Sequence, residues 1–524
     1  MPKPSAIILR LVFLLAMAIG VPHFLLAQDR TPSPSSISQQ ARQYRIQHDV
    51  AILKEFDDLL SIPNVASDLT NIKRNADVLK EMLGRRGIRT RLLQINNAPP
   101  AVYGELLSPG ALRTVALYAH YDGQPVDPSL WKSNPWKMMI RDRPLEDGGH
   151  EISLDALKSP LPGEWRVYAR SASDDKAPIM ALLAALDALR AGNISLSVNL
   201  KLFLEGEEEA GSPHLRSFFE KYKDLLKADA WLLCDGPVHQ TRRMQLYFGA
   251  RGITELELTV YGPNRALHSG HYGNWAPNPI ALLTDLLSSL RDGEGRIRIP
   301  HFFDDVRPLT DSEHRALNEI PAVDAQLRHD LGLAWNEGGK EVLAERILSP
   351  AINFRGIQSG HVGEKTTNSL PSEAIASIDF RLVPDQTPDR VRSQVEEHIL
   401  RQGFFIVHET PTMEIRRAHP KIVKLAWGPG YPAARTSMDL PLSKALISVI
   451  EQSTGESVVK MPSLGGSVPM YLFVEQLKTP VIGFPIVNHD NNQHASDENL
   501  RLQNLWDGIE MFASVLARLG KVWP

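Results

Sequence analysis

Leu200-Lys201-Leu202-Phe203-Leu204-Glu205-Gly206-Glu207-Glu208-Glu209-Ala210-Gly211-Ser212 is the stretch on which the reading of this chain turns. A β-type apolar run, Ser197 to Leu204, ends abruptly in carboxylates and then in Gly-Ser before a helical pattern. A run of acids ordinarily marks a solvated face. Here it closes a strand, and like charges packed at a buried strand end cost several kcal/mol unless cations neutralise them. The stretch therefore points to a metal-binding strand end.

The same punctuation recurs on either side. Thr114 to Ala119 and Ala230 to Cys234 are further short β-type runs, closed by His120-Tyr121-Asp122 and by Asp235. Between the first two runs, Pro178 to Leu189 places Ile179, Leu182, Leu183 and Leu186 at the spacing of a helix packed on a sheet. Strand and helix patterns alternate from Ala41 to about Leu246, which predicts an α/β fold: a mostly parallel sheet flanked by helices. In such sheets ligands sit outside the carboxyl ends of the strands.

The pattern changes near Gly249. Leu256, Leu258 and Val260 alternate with Glu255, Glu257 and Thr259, and Ala374, Ala376, Ile378, Phe380 and Leu382 repeat that alternation. Half-exposed antiparallel strands read this way. With helices expected over Pro279 to Arg291 and Pro388 to Arg401, they form an inserted α+β domain. Residues 292–350 are charged and helix-like and read as an elaboration of that insert. The Gly/Pro-rich stretch Gly428 to Ala434 returns the chain to the first domain. A helix near Leu442 to Glu451, a strand at Val481 to Phe484 and a last helix complete it. The expected plan is a signal peptide over 1–27, a catalytic domain over 28–247 and 431–524, and a lid and dimerisation domain over 248–430.

At 524 residues, two domains are the natural expectation. A net charge of −4 and the lack of any basic block interleaved with aromatics argue against a nucleic-acid partner. The single cysteine, Cys234, excludes an intrachain disulfide and a thiolate-rich metal site, and its apolar setting after Trp231-Leu232-Leu233 reads as a buried, inert thiol. At the N-terminus, Lys3 and Arg10 precede the apolar run Leu11 to Ile19, and Ala27 offers a cleavage point. This is the pattern of an export signal, so a periplasmic or secreted protein without a stable membrane anchor is expected. Asp29 to Gln40, rich in Ser and Pro, reads as an N-terminal tail.

Each acidic or imidazole group has a bland reading when taken alone. His120 and Asp122 make a surface pair, Ser173-Asp174-Asp175-Lys176 an N-cap, Asp235 a turn, and His494 a polar loop residue. Together they differ: two histidines and several carboxylates at separate strand ends suit Zn²⁺, or its neighbours Co²⁺ and Mn²⁺. Side chains at i and i+2 of an extended segment point the same way, so Asp122 can hold one His120 nitrogen while the other meets metal.

These residues resemble the co-catalytic zinc metallopeptidase family of carnosinase, cytosolic dipeptidase, acetylornithine deacetylase, succinyl-diaminopimelate desuccinylase and carboxypeptidase G. The dipeptidase branch is the closest, since its Glu-Gly-x-Glu-Glu-x-Gly-Ser box matches Glu205 to Ser212. The resemblance implies two metal ions, one held by His120, Asp174 and Asp235 and the other by Asp174, Glu209 and His494. It also implies Asp122 as the residue orienting His120, Glu208 as general base and a cis peptide between Asp174 and Asp175. A homodimer through the lid is implied as well, with His268 reaching into the partner's site. Asn368, Arg381, Gly466 and Ser467 resemble substrate-holding positions, the last two in the loop Gly465-Gly466-Ser467-Val468-Pro469. Ala169-Arg170-Ser171-Ala172-Ser173-Asp174-Asp175-Lys176-Ala177 departs from the family by losing three glycines, and Glu207 adds a third acid. The activity implied is hydrolysis of dipeptides or short peptides with a free carboxylate. The alternatives are an N-acyl-amino-acid deacylase with the same site and, further off, a non-enzymatic binding protein.

Overall fold

The computed structural model describes residues 34–524, so the expected signal peptide and the residues up to 33 lie outside the described residues. The expected tail ends sooner than its composition suggests. Pro34–Leu60 is a helix, and Ile37 and Ala41 are buried in it. Proline at a helix start loses only a donor that would be unpaired anyway, which is why a Pro/Ser-rich stretch can open a helix.

An eight-stranded sheet carries the carboxylate-bearing strand ends. Its spatial order is Arg89–Leu93, Ala101–Leu106, Asn199–Glu205, Thr114–His120, Ala230–Leu233, Val481–Gly483, Gln245–Tyr247 and Val459–Met461. The central strands Asn199–Glu205, Thr114–His120, Ala230–Leu233 and Val481–Gly483 run parallel. An antiparallel hairpin closes one edge, and Gln245–Tyr247 reverses direction near the other. The edges therefore depart from the parallel pattern, while the centre follows it.

Alternation along these strands feeds two cores. Leu117, Ala119, Leu200, Leu202 and Leu204 face a core shared with helices Pro34–Leu60, Lys176–Ala191, Pro441–Thr454 and Leu502–Val522. Tyr118, Phe203, Trp231 and Leu233 face an aromatic cluster with Phe218, Phe219 and Phe473. Both faces are covered, as the near-continuous apolar character of the strands requires. Leu183, fully buried on Lys176–Ala191, marks how much rests on this packing: truncation to Ala costs about 2–5 kcal/mol.

A second sheet of five strands has its own core. Gly252–Tyr261 lies between Glu373–Leu382 and Ile422–Tyr431, both antiparallel to it. Helices Pro279–Leu290 and Pro388–Arg401, capped by Asn278 and Thr387, pack on that core through Leu283, Leu287, Val391 and Val395. Gly428 to Tyr431, expected as a returning linker, is the end of a strand instead. The return comes one step later, where Ala434–Arg435 pairs with Gly249–Ala250 in a separate two-stranded ribbon.

Segment 292–350 contains three short helices, Asp311–Glu319, Asp324–Asp330 and Leu343–Arg346. It is not merely an outgrowth of the insert. Ala316 joins the large core of the first sheet, Glu313 pairs with Arg435 at 3.2 Å, and Glu319 pairs with Lys460 at 2.5 Å. Burial of one apolar face and a buried ion pair draw it back to the sheet edge, a long-range effect that local charge could not reveal. Among the described residues no helix is long and apolar enough to cross a membrane.

Candidate metal centre

Strand register builds the first half of the site. His120 lies opposite Glu205, and Tyr118 opposite Leu233, so Asp235, two residues beyond Leu233, comes level with His120. All three side chains are buried at the carboxyl ends of parallel strands. Glu205 turns to Tyr118, whose hydroxyl donates to it at 2.6 Å, and burial pushes its carboxyl up to about 8. Gly206 lets the chain turn there, because a Cβ would fall 2.4 Å from the Tyr121 hydroxyl oxygen.

The three consecutive acids then separate. Glu207 turns away and accepts from the His214 backbone N–H at 3.1 Å and from its Nδ1 at 3.0 Å. The Asp122 carboxylate takes the next two backbone N–H groups, Glu208 at 3.1 Å on Oδ1 and Glu209 at 3.0 Å on Oδ2. The same carboxylate lies 3.4 Å from His120 Nδ1, which also sits 3.2 Å from the Asp122 carbonyl oxygen. Asp122 thus ties the imidazole to the acidic turn, and the turn-holding part of that job had no signature in the sequence.

Asp174 joins two groups. Its Oδ1 lies 2.9 Å from His120 Nε2, and its Oδ2 lies 3.0 Å from His494 Nε2. His494 Nε2 is also 3.3 Å from Glu209 Oε2. Two sets of potential ligand atoms result, His120–Asp174–Asp235 and Asp174–Glu209–His494, with the atoms of each set within 4.8 Å of one another. The peptide between Asp174 and Asp175 is cis. Asp175 accepts the His120 backbone N–H at 3.2 Å, while Lys176 is buried beneath the loop, donating to the Leu59 carbonyl and to Asn75.

The loop Ala169 to Ala177 is fixed by contacts from distant parts of the chain. Ser171 adopts a left-handed φ of 61°, a conformation that favours glycine. Strain of that kind persists only where surroundings over-determine it. Here Asn64 donates to the Ser171 hydroxyl at 2.9 Å, and the fully buried Glu498 accepts the N–H groups of Ser171, Ser173 and Asp174, each at 2.9 Å. Arg170 donates to the same carboxylate at 2.9 Å. Glu498, Gln124 (2.7 Å to Glu209) and Gln493 (2.6 Å to Asp174) were not singled out from the sequence as site-building groups. Position four residues beyond His494 was the only available hint for Glu498.

Charge decides what this arrangement can hold. Burial alone would raise the Asp174 carboxyl, but hydrogen bonds from His120 and His494 outweigh it and hold it well below the usual range. Burial, with Asp174 alongside, pushes Asp235 up to about 6 and Glu209 up to about 7. Glu208 is driven well above its ordinary value by burial and, against the pull of His120, by Asp235, Asp174 and Glu209. Among the described residues, no lysine or arginine forms an ion pair with Asp174, Asp235, Glu208 or Glu209. Several dry carboxylates with only two imidazoles for compensation fit a pair of divalent cations, and mixed N/O donors fit zinc or its neighbours.

The remaining candidates fall into two groups. Arg381, on Glu373–Leu382, donates from Nη1 to the Ser467 hydroxyl at 2.9 Å, and the Gly466 carbonyl accepts the Arg251 N–H at 3.3 Å. These three positions come together beside the first sheet. His268 and Asn368 do not join them: His268 is exposed on the small ribbon Leu267–His268/Ser369–Leu370, and Asn368 is exposed just before its second strand. The His268 Nδ1 accepts the Gly270 N–H at 3.1 Å, so in the neutral ring the proton sits on Nε2, facing outward from that turn. Cys234 is buried, and burial pushes its thiol well above the ordinary value, leaving it an inert neighbour of Asp235.

A mostly parallel sheet with one candidate ligand set at its strand ends and a second in the adjoining loops, next to an antiparallel sheet with its own helices, fits a metal-binding α/β protein. The sequence profile of peptidase family M20/M25/M40 matches residues 116–518, and the chain belongs to that family. Cys-Gly metallodipeptidase dug1 of Schizosaccharomyces pombe is 26% identical over 482 residues, 89% of this chain and 94% of that protein. The Homo sapiens Beta-Ala-His dipeptidase is 26% identical over 435 residues, 81% of this chain and 78% of that protein. Among solved structures, the M20 family metallo-carboxypeptidase Sso-CP2 from Sulfolobus solfataricus superposes with a TM-score of 0.71 at 29% identity, covering 90% of this chain and 99% of that one.

Proposed function

We propose that this chain is a dinuclear metal-dependent exopeptidase that cleaves dipeptides or short peptides bearing a free carboxylate. The observation that carries the reading is Asp174, whose two carboxylate oxygens each face a different imidazole, with Glu208 beside both sets. His120, Asp174 and Asp235 would hold one cation, and Asp174, Glu209 and His494 the other, zinc being the best match to the donors. When bound, such a pair acidifies water and polarises the scissile carbonyl.

The chain's own residues then divide the work. Glu208 takes the proton of the attacking water and passes it to the leaving amine. Its turn is held by Asp122 through two backbone N–H groups, so the carboxylate is aimed before substrate arrives. Arg381 and Ser467 grip the terminal carboxylate. His268, with a donor Nε2 on an exposed ribbon, supplies the oxyanion's hydrogen bond from a partner subunit, which makes a homodimer the working unit. The dipeptidase names of the S. pombe and human relatives support a dipeptide substrate. Export rests on Lys3, Arg10 and the run Leu11 to Ile19, and N-terminal sequencing of the mature protein tests it.

The deciding assay sets the purified, metal-analysed protein against a dipeptide panel and matched N-acetyl amino acids. Dipeptide cleavage with about two metal ions per chain is expected. Cleavage of the N-acetyl amino acids alone would replace this reading with the deacylase one.

A further inference from the structure

Tyr431, at the last position of the strand Ile422–Tyr431, stands where the second sheet meets the Gly465–Pro469 loop. Its ring stacks on Tyr471 with centroids 4.8 Å apart and planes 6° from parallel. Tyr431 and Arg381 both lie opposite Ile253 in antiparallel register, so their side chains share the face on which Arg381 meets Ser467, and the charges of Glu208 and Arg381 both act on the Tyr431 hydroxyl. Tyr471 lies beside the Arg216–Glu475 pair, which is 3.6 Å long, and both charges act on its hydroxyl.

Proton counting shows what the cluster offers. A guanidinium has no acceptor, so Arg381 donates to Ser467 Oγ. Ser467 then keeps one proton and one lone pair, and the Tyr431 phenol brings a proton of its own. Burial pushes the Tyr431 phenol up to about 12, with Ser467 pulling the other way, so it stays protonated at neutral pH and acts as a donor. Among the described residues no hydrogen bond joins that hydroxyl to Glu208, whose field nonetheless reaches it. A donor held rigid by a stacked ring, beside Arg381 and Ser467, is placed for an anionic acceptor arriving from outside.

We propose that the Tyr431 hydroxyl is a third donor to the terminal carboxylate of the substrate, alongside Arg381 and Ser467, and that Tyr471 is a positioning residue that holds its ring. The assignment rests on the exopeptidase reading above and sharpens it: this enzyme discriminates a free carboxylate from its neutral amide.

The test compares the best-cleaved dipeptide of the panel with the same dipeptide as its C-terminal amide. Tyr431→Phe keeps the stack and removes only the hydroxyl. It should raise KM for the free acid by about tenfold to a hundredfold, the value of one hydrogen bond to a charged group, and raise KM for the amide by several-fold less, with metal content unchanged. Tyr471→Ala should shift the same ratio in the same direction, and Tyr471→Phe should restore it. Equal losses on acid and amide, or none on either, overturn the assignment while leaving the exopeptidase reading standing. A wild-type protein that cleaves no peptide of the panel overturns both.

Discussion

The carboxylate cluster and the His268 ribbon were both legible as motifs, yet the fold treats them in opposite ways. His120, Asp174 and Asp235 are buried: strand register brings His120 level with Asp235, Glu498 holds the loop of Asp174, and Asp122 holds the acidic turn. His268 and Asn368 are exposed, and their contacts are local: His268 to Ser369, Gly270 and the His271 ring, and Asn368 to the Ser269 N–H. Parallel strands bring distant residues into one plane at a crevice, so a site there is complete within one chain. A two-residue ribbon on the insert has no such frame. The proposed function thus pairs a preorganised, buried cluster with an exposed ribbon that would act on a partner's site.

Asp174→Ala attacks the preorganised half hardest. It removes the oxygen pair facing both imidazoles, so metal analysis should show both cations lost and activity abolished. A variant that kept two metals would break the contrast. Glu208→Gln should keep both metals and lower kcat by about 10²–10⁴-fold, the usual weight of a general base. Full activity in that variant would reassign the base.

The exposed half is tested by His268→Ala. Removing an oxyanion donor should cost about 10²–10³ in kcat with metal content untouched. Mixing it with Glu208→Gln under conditions that exchange subunits should restore part of the activity, since mixed dimers carry one intact composite site. No recovery with demonstrated exchange would place His268 in its own chain's site or in none.

The smallest effect concerns the metal-free protein. Glu209 rises from an ordinary 4.5 to about 7, and Asp235 from 3.8 to about 6. Folding therefore favours their neutral forms. Below about pH 4 both states are protonated and no penalty arises; as pH climbs toward 7 the unfolded chain has released protons that the folded one still holds. Chelated protein should lose thermal stability by a few degrees between pH 5 and 8, and zinc should raise Tm more at pH 8 than at pH 5. A rise in stability over that window without metal would refute the buried-charge account.

Much of the centre of the fold was readable because its signals are local. Apolar runs at Thr114 to Ala119, Ser197 to Leu204 and Ala230 to Cys234 became strands within a residue or two. The box around Glu208 kept its register from Gly206, which has no room for a side chain. What stayed hidden depends on contacts across hundreds of positions. Glu498 holds the Ser171–Asp174 loop from more than 320 residues away in sequence. Ser171 takes over a glycine's conformation because of Asn64, and Asp311–Glu319 returns to the first sheet through Glu313 and Arg435.

By itself, then, the order of residues determined the donor chemistry: which side chains end strands, and that they are imidazoles and carboxylates rather than thiols. Tertiary structure alone decided how they are shared. Parallel register and the loop held by Glu498 turn one oxygen of Asp174 toward His120 and the other toward His494. Composition and spacing fix what a group can bind, but only packing across the sheet fixes which neighbours share it.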